Sequence, residues 1–207
     1  PPLGLAPAGT TLSMSAADLI TFARAHLNQG LIDFLPDTGN SVNTRWLSAE
    51  AVQKMQMSGV ILPPYSPFSI TDWGLGWFMA NGEYMPMIGH DGATFGQSCV
   101  LRLVPEQNFA FVVQTNCLNS TVLKTVLNDL LPILADIHLT PVEPTEVIID
   151  SDSITGTYDS FDGIITVSLK DDELVATRED KVLPSALENW WLKSIDAQTV
   201  MAYSEQG

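Results

Sequence analysis

The chain has 207 residues, and 45% of them are hydrophobic, which suffices for one large or two small domains and argues against a disordered chain. Twenty-four acidic residues against nine basic ones give a net charge of −15, which disfavours nucleic acid and anionic membrane surfaces as partners. No apolar run approaches ~18 residues, so the sequence predicts no membrane span.

The first predicted element is an amphipathic helix over residues 16–28, with Ser15 or Thr11 as its N-cap. Ser15 stands three residues before Asp18, a spacing typical of a capping box, and Gly30 suits the helix end. Apolar residues recur with the helical period and predict a buried stripe. Its members are Leu19, Phe22, Ala23, His26 and Leu27. We interpret the histidine on this stripe as a packed residue.

Ser48 is expected to begin a second, short helix with Val52 and Met55 facing inward. The segments on either side, residues 31–47 and 58–72, are rich in Pro, Gly, Ser and Asn, and we expect them to be loops. Loops of this length in a compact domain often carry function.

Residues 84–90, 97–104 and 109–115 are expected to form adjacent antiparallel strands, because they are β-prone and joined by short connections. A helix over residues 119–136 should pack on one face of these strands, with Pro132 bending or ending it. Six apolar residues of that helix are expected to face inward: Leu123, Val126, Leu127, Leu130, Leu131 and Leu134. His138 follows the helix and is interpreted as structural.

A linker with two prolines over residues 140–145 predicts a domain boundary between residues 1–140 and 141–207. The net charge is −5 before this boundary and −10 after it. The second part is expected to be all β, because short β-prone segments recur at 8–12-residue spacing, which is typical of a barrel or sandwich. These segments begin near Ile154, Ile164, Leu174, Trp190 and Thr199.

Cys99 and Cys117 are the only cysteines, and we expect both to be buried free thiols. No group of Cys and His residues has metal-ligand spacing. The sequence therefore predicts neither a metal nor a cofactor.

The stretch from residue 89 to 97 holds the candidate functional residues. His90, Asp91 and Gly92 stand between two segments of β character. Glycines between strands mark places where a ligand or another chain comes close to the backbone, and a histidine there can move a proton near neutral pH. His-Asp-Gly also occurs in ordinary turns, and this interpretation stays open beside the functional one.

Four segments, taken in chain order, resemble part of a known family. They are the helix 16–28, the aromatic and glycine-rich run 73–78, the motif at 90–92 and the segment 104–116. They resemble the C-terminal part of the catalytic domain of serine β-lactamases and penicillin-binding-protein-like hydrolases, in the branch with class C β-lactamases, D-stereospecific peptidases and esterases. The resemblance covers about residues 1 to 137 and implies an α+β fold in which an antiparallel sheet is flanked by helices.

Residues 141–207 resemble, more weakly, the small lipocalin-like β domain found after some members of that family. The resemblance rests on Gly156, Thr157 and Tyr158 ahead of an apolar strand and an acidic turn. This part has room for five or six strands, whereas a lipocalin barrel has eight. We therefore expect only a segment of such a barrel, and a chain that is truncated here.

Three motifs surround the active site in that family, namely Ser-x-x-Lys, Tyr-x-Asn, and a basic residue two positions before a glycine. Only the third is present, at His90, Asp91 and Gly92. We expect the chain to be the C-terminal fragment of a longer serine hydrolase, inactive alone, with the missing N-terminal half as its partner. The compartment and the oligomeric state stay open.

The resemblance implies acyl transfer to a serine and hydrolysis of ester, D-peptide amide or β-lactam bonds in a small molecule or peptide. It assigns His90 as the basic residue, Gly92 to close backbone approach, the Ala93 N–H to the oxyanion, and Asp91 and Thr94 to substrate binding. His90 stands where many β-lactamases have Lys, and Asp91 where Thr or Ser is common. Both departures favour an ester or D-peptide substrate over a β-lactam.

The alternative hypothesis is a non-catalytic binding or interaction module. Such a module would use the acidic β domain to hold a small ligand or a partner subunit. A Ser-x-x-Lys motif upstream in the reading frame would decide for the hydrolase.

Overall fold

The computed structural model of the chain describes residues 12–35, 38–65, 70–81, 86–94, 96–117, 120–139, 144, 145, 147, 149–181, 188–194, 196 and 200–203. The chain divides into two compact units, residues 1–141 and 142–207. Residues 140–143 of the predicted linker, and residues 84 and 85 of the first predicted strand, lie outside the described residues.

The first unit combines helices with antiparallel β-structure. Among the described residues, its α-helices are α1 (Ala16–Leu27), α2 (Ala49–Met55) and α3 (Ser120–Ala135), and a short 3-10 helix spans Pro105–Gln107. Its strands are β1 (Leu31–Leu35), β2 (Asn40–Arg45), β3 (Val60–Tyr65), β4 (Ile70–Trp73), β5 (Phe78–Asn81), β6 (Pro86–Thr94), β7 (Gln97–Val104) and β8 (Phe109–Thr115). β1 and β2 form a hairpin, and β3 to β8 form a six-stranded sheet in sequence order. The predicted α+β class and the predicted neighbours β6, β7 and β8 are confirmed.

α1 begins and ends as its sequence predicts. The Ser15 hydroxyl accepts the Asp18 N–H at 3.2 Å, and the Asp18 carboxylate accepts the Ser15 N–H at 2.9 Å. This reciprocal capping box satisfies two N–H groups that the first helical turn leaves unpaired. Gly30 then adopts φ +85° and donates its N–H to Ala25 O at 2.6 Å, which ends the helix. α2 likewise has Ser48 as its N-cap and Val52 fully buried, as predicted.

The loops predicted at residues 31–47 and 58–72 are wrong in part, because β1, β2, β3 and β4 lie there. β2 is mostly exposed, so it lacks the apolar alternation that marks a half-buried strand. β3 contains Pro63 and Pro64, and its pairing with β4 shifts register between Ile61 and Tyr65. An irregular edge strand tolerates prolines, which cannot donate to a ladder.

The six-stranded sheet has a hydrophobic cluster on each face. One cluster lies between α3 and the strands from β4 through β8. Its buried members are Ile70, Phe78, Ala80, Met87, Val100, Val104, Phe111, Leu123, Leu127, Leu131, Ala135 and Ile137. The other involves α1, and its buried members are Ala23, Trp77, Ile88, Leu101 and Leu103.

α3 confirms the predicted helix and corrects its inward face. Leu123, Leu127 and Leu131 are buried, whereas Leu130 and Leu134 are 37% and 50% exposed. The buried residues recur every four positions, because a narrow stripe is enough to cover a sheet from one side. At 16 residues α3 is the longest described helix, and no described helix is long and apolar enough to cross a membrane.

The second unit contains one helical turn and one antiparallel sheet. The turn is α4 (Ser151–Ile154), and the strands are β9 (Gly156–Asp159), β10 (Gly163–Lys170), β11 (Glu173–Asp180), β12 (Glu188–Ser194) and β13 (Val200–Tyr203). The strands pair in sequence order, with β9 and β13 as edges among the described residues. The all-β prediction is wrong at α4, where the Asp150 side chain accepts the Asp152 N–H and caps a turn. Asp171 and Asp172 have φ 53° and 65°, as a two-residue hairpin requires.

Candidate functional site

The strand β6 carries the His-Asp-Gly motif at a place where one of its sides is open. β5 pairs with β6 from Asn81 opposite Pro86 to Phe78 opposite Gly89. Beyond Gly89, the described residues pair β6 only with β7, from His90 opposite Leu101 to Thr94 opposite Gln97. Residues 90–94 therefore have an edge in the described part of the chain, and backbone groups on such an edge can bond to an extended ligand.

His90 is exposed and surrounded on one side by aromatic rings. Its Nδ1 lies 2.7 Å from Asp91 O. Its ring centre lies 5.6 Å from that of Trp73, edge to face, and 6.4 Å from that of Phe78. These contacts hold the ring near the start of the open edge, with Nε2 free of any contact that the structure records.

Asp91 has an internal partner. Arg102, which is 0% exposed, places Nη1 2.5 Å from Asp91 Oδ1 and Nη2 3.1 Å from Oδ2. The Asp91 side chain is 33% exposed. This bidentate pair opposes the negative charge that Asp91 brings to the motif. Arg102 was not predicted from the sequence. A signal exists in the alternation of side chains along β7, which places this single cation on the same strand face as Val100 and Val104.

Gly92, Ala93 and Thr94 are all exposed. A Cβ placed on Gly92 would meet nothing within 4 Å, so the backbone there is open to a ligand. Gly89 differs, because a Cβ on it would lie 2.5 Å from Leu101 O and 2.9 Å from Arg102 Cδ. Of the two glycines, Gly89 accommodates the protein's own atoms and Gly92 borders empty space.

The two cysteines are free, as predicted, but both are half-buried rather than buried, since Cys99 lies near the start of β7 and Cys117 follows the end of β8. Cys99 pairs across the ladder with Gly92. Burial raises the pKa of the Cys99 thiol, so this group stays protonated near neutral pH. The described residues contain no group of three or more His, Cys, Asp or Glu side chains that could hold a metal ion.

The other two histidines lie on α1 and shortly after α3. His26 is 1% exposed, with the rings of Phe22, Trp77 and Trp46 at 4.8, 5.0 and 5.7 Å. Burial lowers its pKa, because the apolar surroundings disfavour the imidazolium. The interpretation of His26 as a packed residue is confirmed. His138 is half-exposed, 3.9 Å from the Asp136 carboxylate.

Comparisons with known proteins identify relatives of this chain. Penicillin-binding protein 4 of Amycolatopsis lactamdurans is 36% identical over 170 residues, which cover 78% of this chain and 41% of that protein. A crystal structure of SurE with D-Leu is 25% identical, with a TM-score of 0.62 over 92% of this chain and 42% of that one. A second crystal structure of SurE is 26% identical, with a TM-score of 0.61 over 92% and 40%.

The chain thus spans about two fifths of the length of each of these relatives. The family model described as Beta-lactamase matches residues 1–134, which is well over half of the chain. The chain belongs to the β-lactamase family.

Proposed function

We propose that this chain forms one wall of the substrate cleft of an acyl-serine hydrolase. The observation that carries the proposal is the one-sided pairing of residues 90–94 in a member of the β-lactamase family. An extended substrate would lie along this edge and bond to its backbone, as added strands do. The serine nucleophile and its lysine would come from a Ser-x-x-Lys motif, which these 207 residues lack.

In this proposal the exposed residues of the motif act on the scissile carbonyl. The Ala93 N–H donates to the oxyanion, the openness at Gly92 admits the substrate backbone, and Thr94 borders the same edge. His90 contributes a hydrogen-bond donor from its ring. Because a histidine stands where many relatives have a permanent lysine cation, this position suits an ester or amide carbonyl better than a permanently charged carboxylate.

We infer that the enzyme prefers a substrate with a D-amino acid residue to a β-lactam. SurE, with which this chain shares its fold over 92% of its length, has been crystallised with D-Leu. The amide or ester of a D-residue would present its carbonyl to the same edge. A small molecule or a peptide would serve, and an oligomer is compatible with the site.

We also propose that residues 141–207 form a lipocalin-like segment. Its support is an antiparallel sheet in sequence order, as in an up-and-down barrel. A cavity of about 370 Å³ adjoins this sheet and is lined by Ile149, Ser153, Ile154, Tyr158, Val167, Leu192 and Val200.

The test compares this chain with a longer protein from the same reading frame. The 207-residue chain should turn over neither nitrocefin nor p-nitrophenyl esters, and a fluorescent penicillin should label none of its serines. The longer protein should be labelled at the serine of a Ser-x-x-Lys motif. No labelling of the longer protein, or labelling of the short one, would contradict the proposal and favour a non-catalytic binding module.

His90→Ala in the longer protein tests the role of the motif. Catalytic efficiency toward D-aminoacyl esters should fall by roughly 100-fold, the range for a positioned proton-transfer or electrostatic group. His138→Ala is the matched control, since this half-exposed histidine follows α3, and its activity should stay unchanged. A kcat/KM of His90→Ala within about twofold of the wild type would remove His90 from the mechanism.

A further inference from the structure

We propose that Arg102 is a positioning residue, which fixes the strand from His90 to Ala93 through its ion pair with Asp91. The inference rests on the proposed function, because the strand in question is the one proposed to bind substrate. Within the described residues, β7 is the only strand that pairs with residues 90–94. A strand paired on one side needs further support if its N–H groups are to stay within a fraction of an ångström of a productive geometry.

Arg102 provides that support from a fully buried position. Its guanidinium binds both Asp91 oxygens, donates to Leu101 O at 2.9 Å and lies 4.7 Å from the centre of the Phe78 ring. A buried guanidinium is stable only where protein groups replace the water it has lost. Asp91 therefore holds Arg102 and is itself held, so that the middle residue of the motif has a defined place.

Gly89 makes this ion pair possible. It lies directly across the ladder from Arg102, and a Cβ there would be 2.9 Å from Arg102 Cδ and 3.1 Å from Nη1. The arginine side chain thus passes over the missing Cβ of Gly89 on its way to Asp91. Gly89, Asp91 and Arg102 therefore depend on one another. Of these three residues, only Asp91 lies within the motif at residues 90–92.

These contacts give Asp91 a different role from the substrate contact that the family resemblance implies. Both carboxylate oxygens of Asp91 already accept hydrogen bonds from the buried guanidinium, so its negative charge is balanced from within the protein. Asp91 then affects catalysis by holding the Ala93 N–H and the His90 ring, which lie on either side of it in β6. Loss of either Asp91 or Arg102 should have a similar effect on residues 90–94, because either change breaks the ion pair that joins β6 to β7.

The first test uses the 207-residue chain and does not depend on catalysis. Amide hydrogen exchange of residues 90–94 should become about tenfold faster or more in Asp91→Asn and Arg102→Gln, while α1 exchanges as before. The matched control is Asp33→Asn, which breaks the half-exposed Arg24–Asp33 pair at 2.9 Å and should change neither segment. Exchange of residues 90–94 within twofold of the wild type in Asp91→Asn would overturn the inference.

Arg102→Gln also leaves a buried polar group, so Arg102→Lys and Asp91→Glu serve as milder variants. Both keep their charge, and lysine or the longer carboxylate can reform one of the two hydrogen bonds. Exchange at residues 90–94 should lie between that of the wild type and that of Asp91→Asn. If these milder variants show accelerated amide exchange throughout the first unit, as fast as residues 90–94 exchange in Asp91→Asn, the substitutions destabilise the unit as a whole. That outcome would contradict a local role.

The second test is a double-mutant cycle on kcat/KM in the longer protein, with a D-aminoacyl p-nitrophenyl ester. Asp91→Asn and Arg102→Gln should each lower kcat by about tenfold with little change in KM, and the double variant should lose no more than either single one. Losses that multiply to about 100-fold, or a rise in KM confined to Asp91→Asn, would indicate that Asp91 contacts the substrate. A wild-type protein that forms no acyl-enzyme would defeat the proposed function, whereas the exchange measurement would still decide the present inference.

Discussion

Two glycines of β6, three residues apart, should respond in opposite ways to the same added methyl group. In Gly89→Ala the new Cβ would lie 2.5 Å from Leu101 O, which is a backbone atom of the neighbouring strand. That oxygen cannot move without disturbing the β6–β7 ladder, and the Arg102 side chain beside it is fixed by Asp91. In Gly92→Ala the Cβ would meet nothing within 4 Å.

The magnitude follows from these distances. An added methyl group in a closely packed site destabilises a protein by about 1–3 kcal/mol, and contact with an immobile backbone oxygen places Gly89→Ala near the upper end, about 2–3 kcal/mol. For a unit of this size that corresponds to a fall in Tm of roughly 8–12 °C. Gly92→Ala should stay within about 0.5 kcal/mol of the wild type, or gain slightly from the less flexible unfolded chain.

The assay is urea unfolding of the 207-residue chain, followed by tryptophan fluorescence, since Trp77 is 2% exposed in the first unit. Gly89→Ala should lower the urea midpoint by about 1 M, given an m value near 2 kcal/mol/M. A midpoint for Gly89→Ala equal to that of the wild type would refute the packing argument. A midpoint for Gly92→Ala as low as that for Gly89→Ala would show that residues 90–94 are not open to one side.

Two further outcomes test the core and the buried histidine. Leu131→Ala removes a 0% exposed side chain of α3 and should lower the free energy of unfolding by about 2–5 kcal/mol. Ile133 is 78% exposed, so Ile133→Ala should stay within about 0.5 kcal/mol of the wild type. Equal losses in chemical denaturation would contradict the assignment of the Leu131 face of α3 to the sheet. Burial lowers the pKa of His26 below its ordinary 6.5. As the pH falls, His26 of the unfolded chain is therefore protonated before His26 of the folded chain. The stability that neutral His26 contributes is present above pH ~6.5 and is lost as the pH falls through the lowered folded-state pKa. Unfolding midpoints measured from pH 7.5 to 5 should therefore fall less steeply in His26→Leu than in the wild type, and parallel curves would contradict this assignment.

Local signals in the sequence were sufficient for much of the fold. The Ser15–Asp18 spacing located α1, and the pattern of apolar residues located β7, β8 and α3. Each of these elements follows from interactions between residues close in sequence, such as caps, short turns and one buried stripe. β1 to β5 were missed. β2 is polar and β3 is interrupted by prolines, while β1, β4 and β5 have only four or five residues each, too few to show a clear period.

The candidate site was predictable only in outline. The motif at His90, Asp91 and Gly92 was visible, because a glycine between strands has a physical meaning without any structure. The role of Gly89 and the pairing of Arg102 with Asp91 were not visible, since both depend on which residues of β6 and β7 lie opposite each other. A shift of one residue in that register would move Arg102 to the other face of the sheet.

The two clusters on the faces of the six-stranded sheet have a consequence for how the first unit opens. The cluster under α3 has more buried members among the described residues than the cluster under α1, and local opening free energies follow the number of buried apolar contacts. α1 and the β1–β2 hairpin beside it should therefore detach in partial unfolding events while the sheet stays closed on α3. Limited proteolysis would then cut first near the N-terminal end and leave a resistant core from β4 to α3.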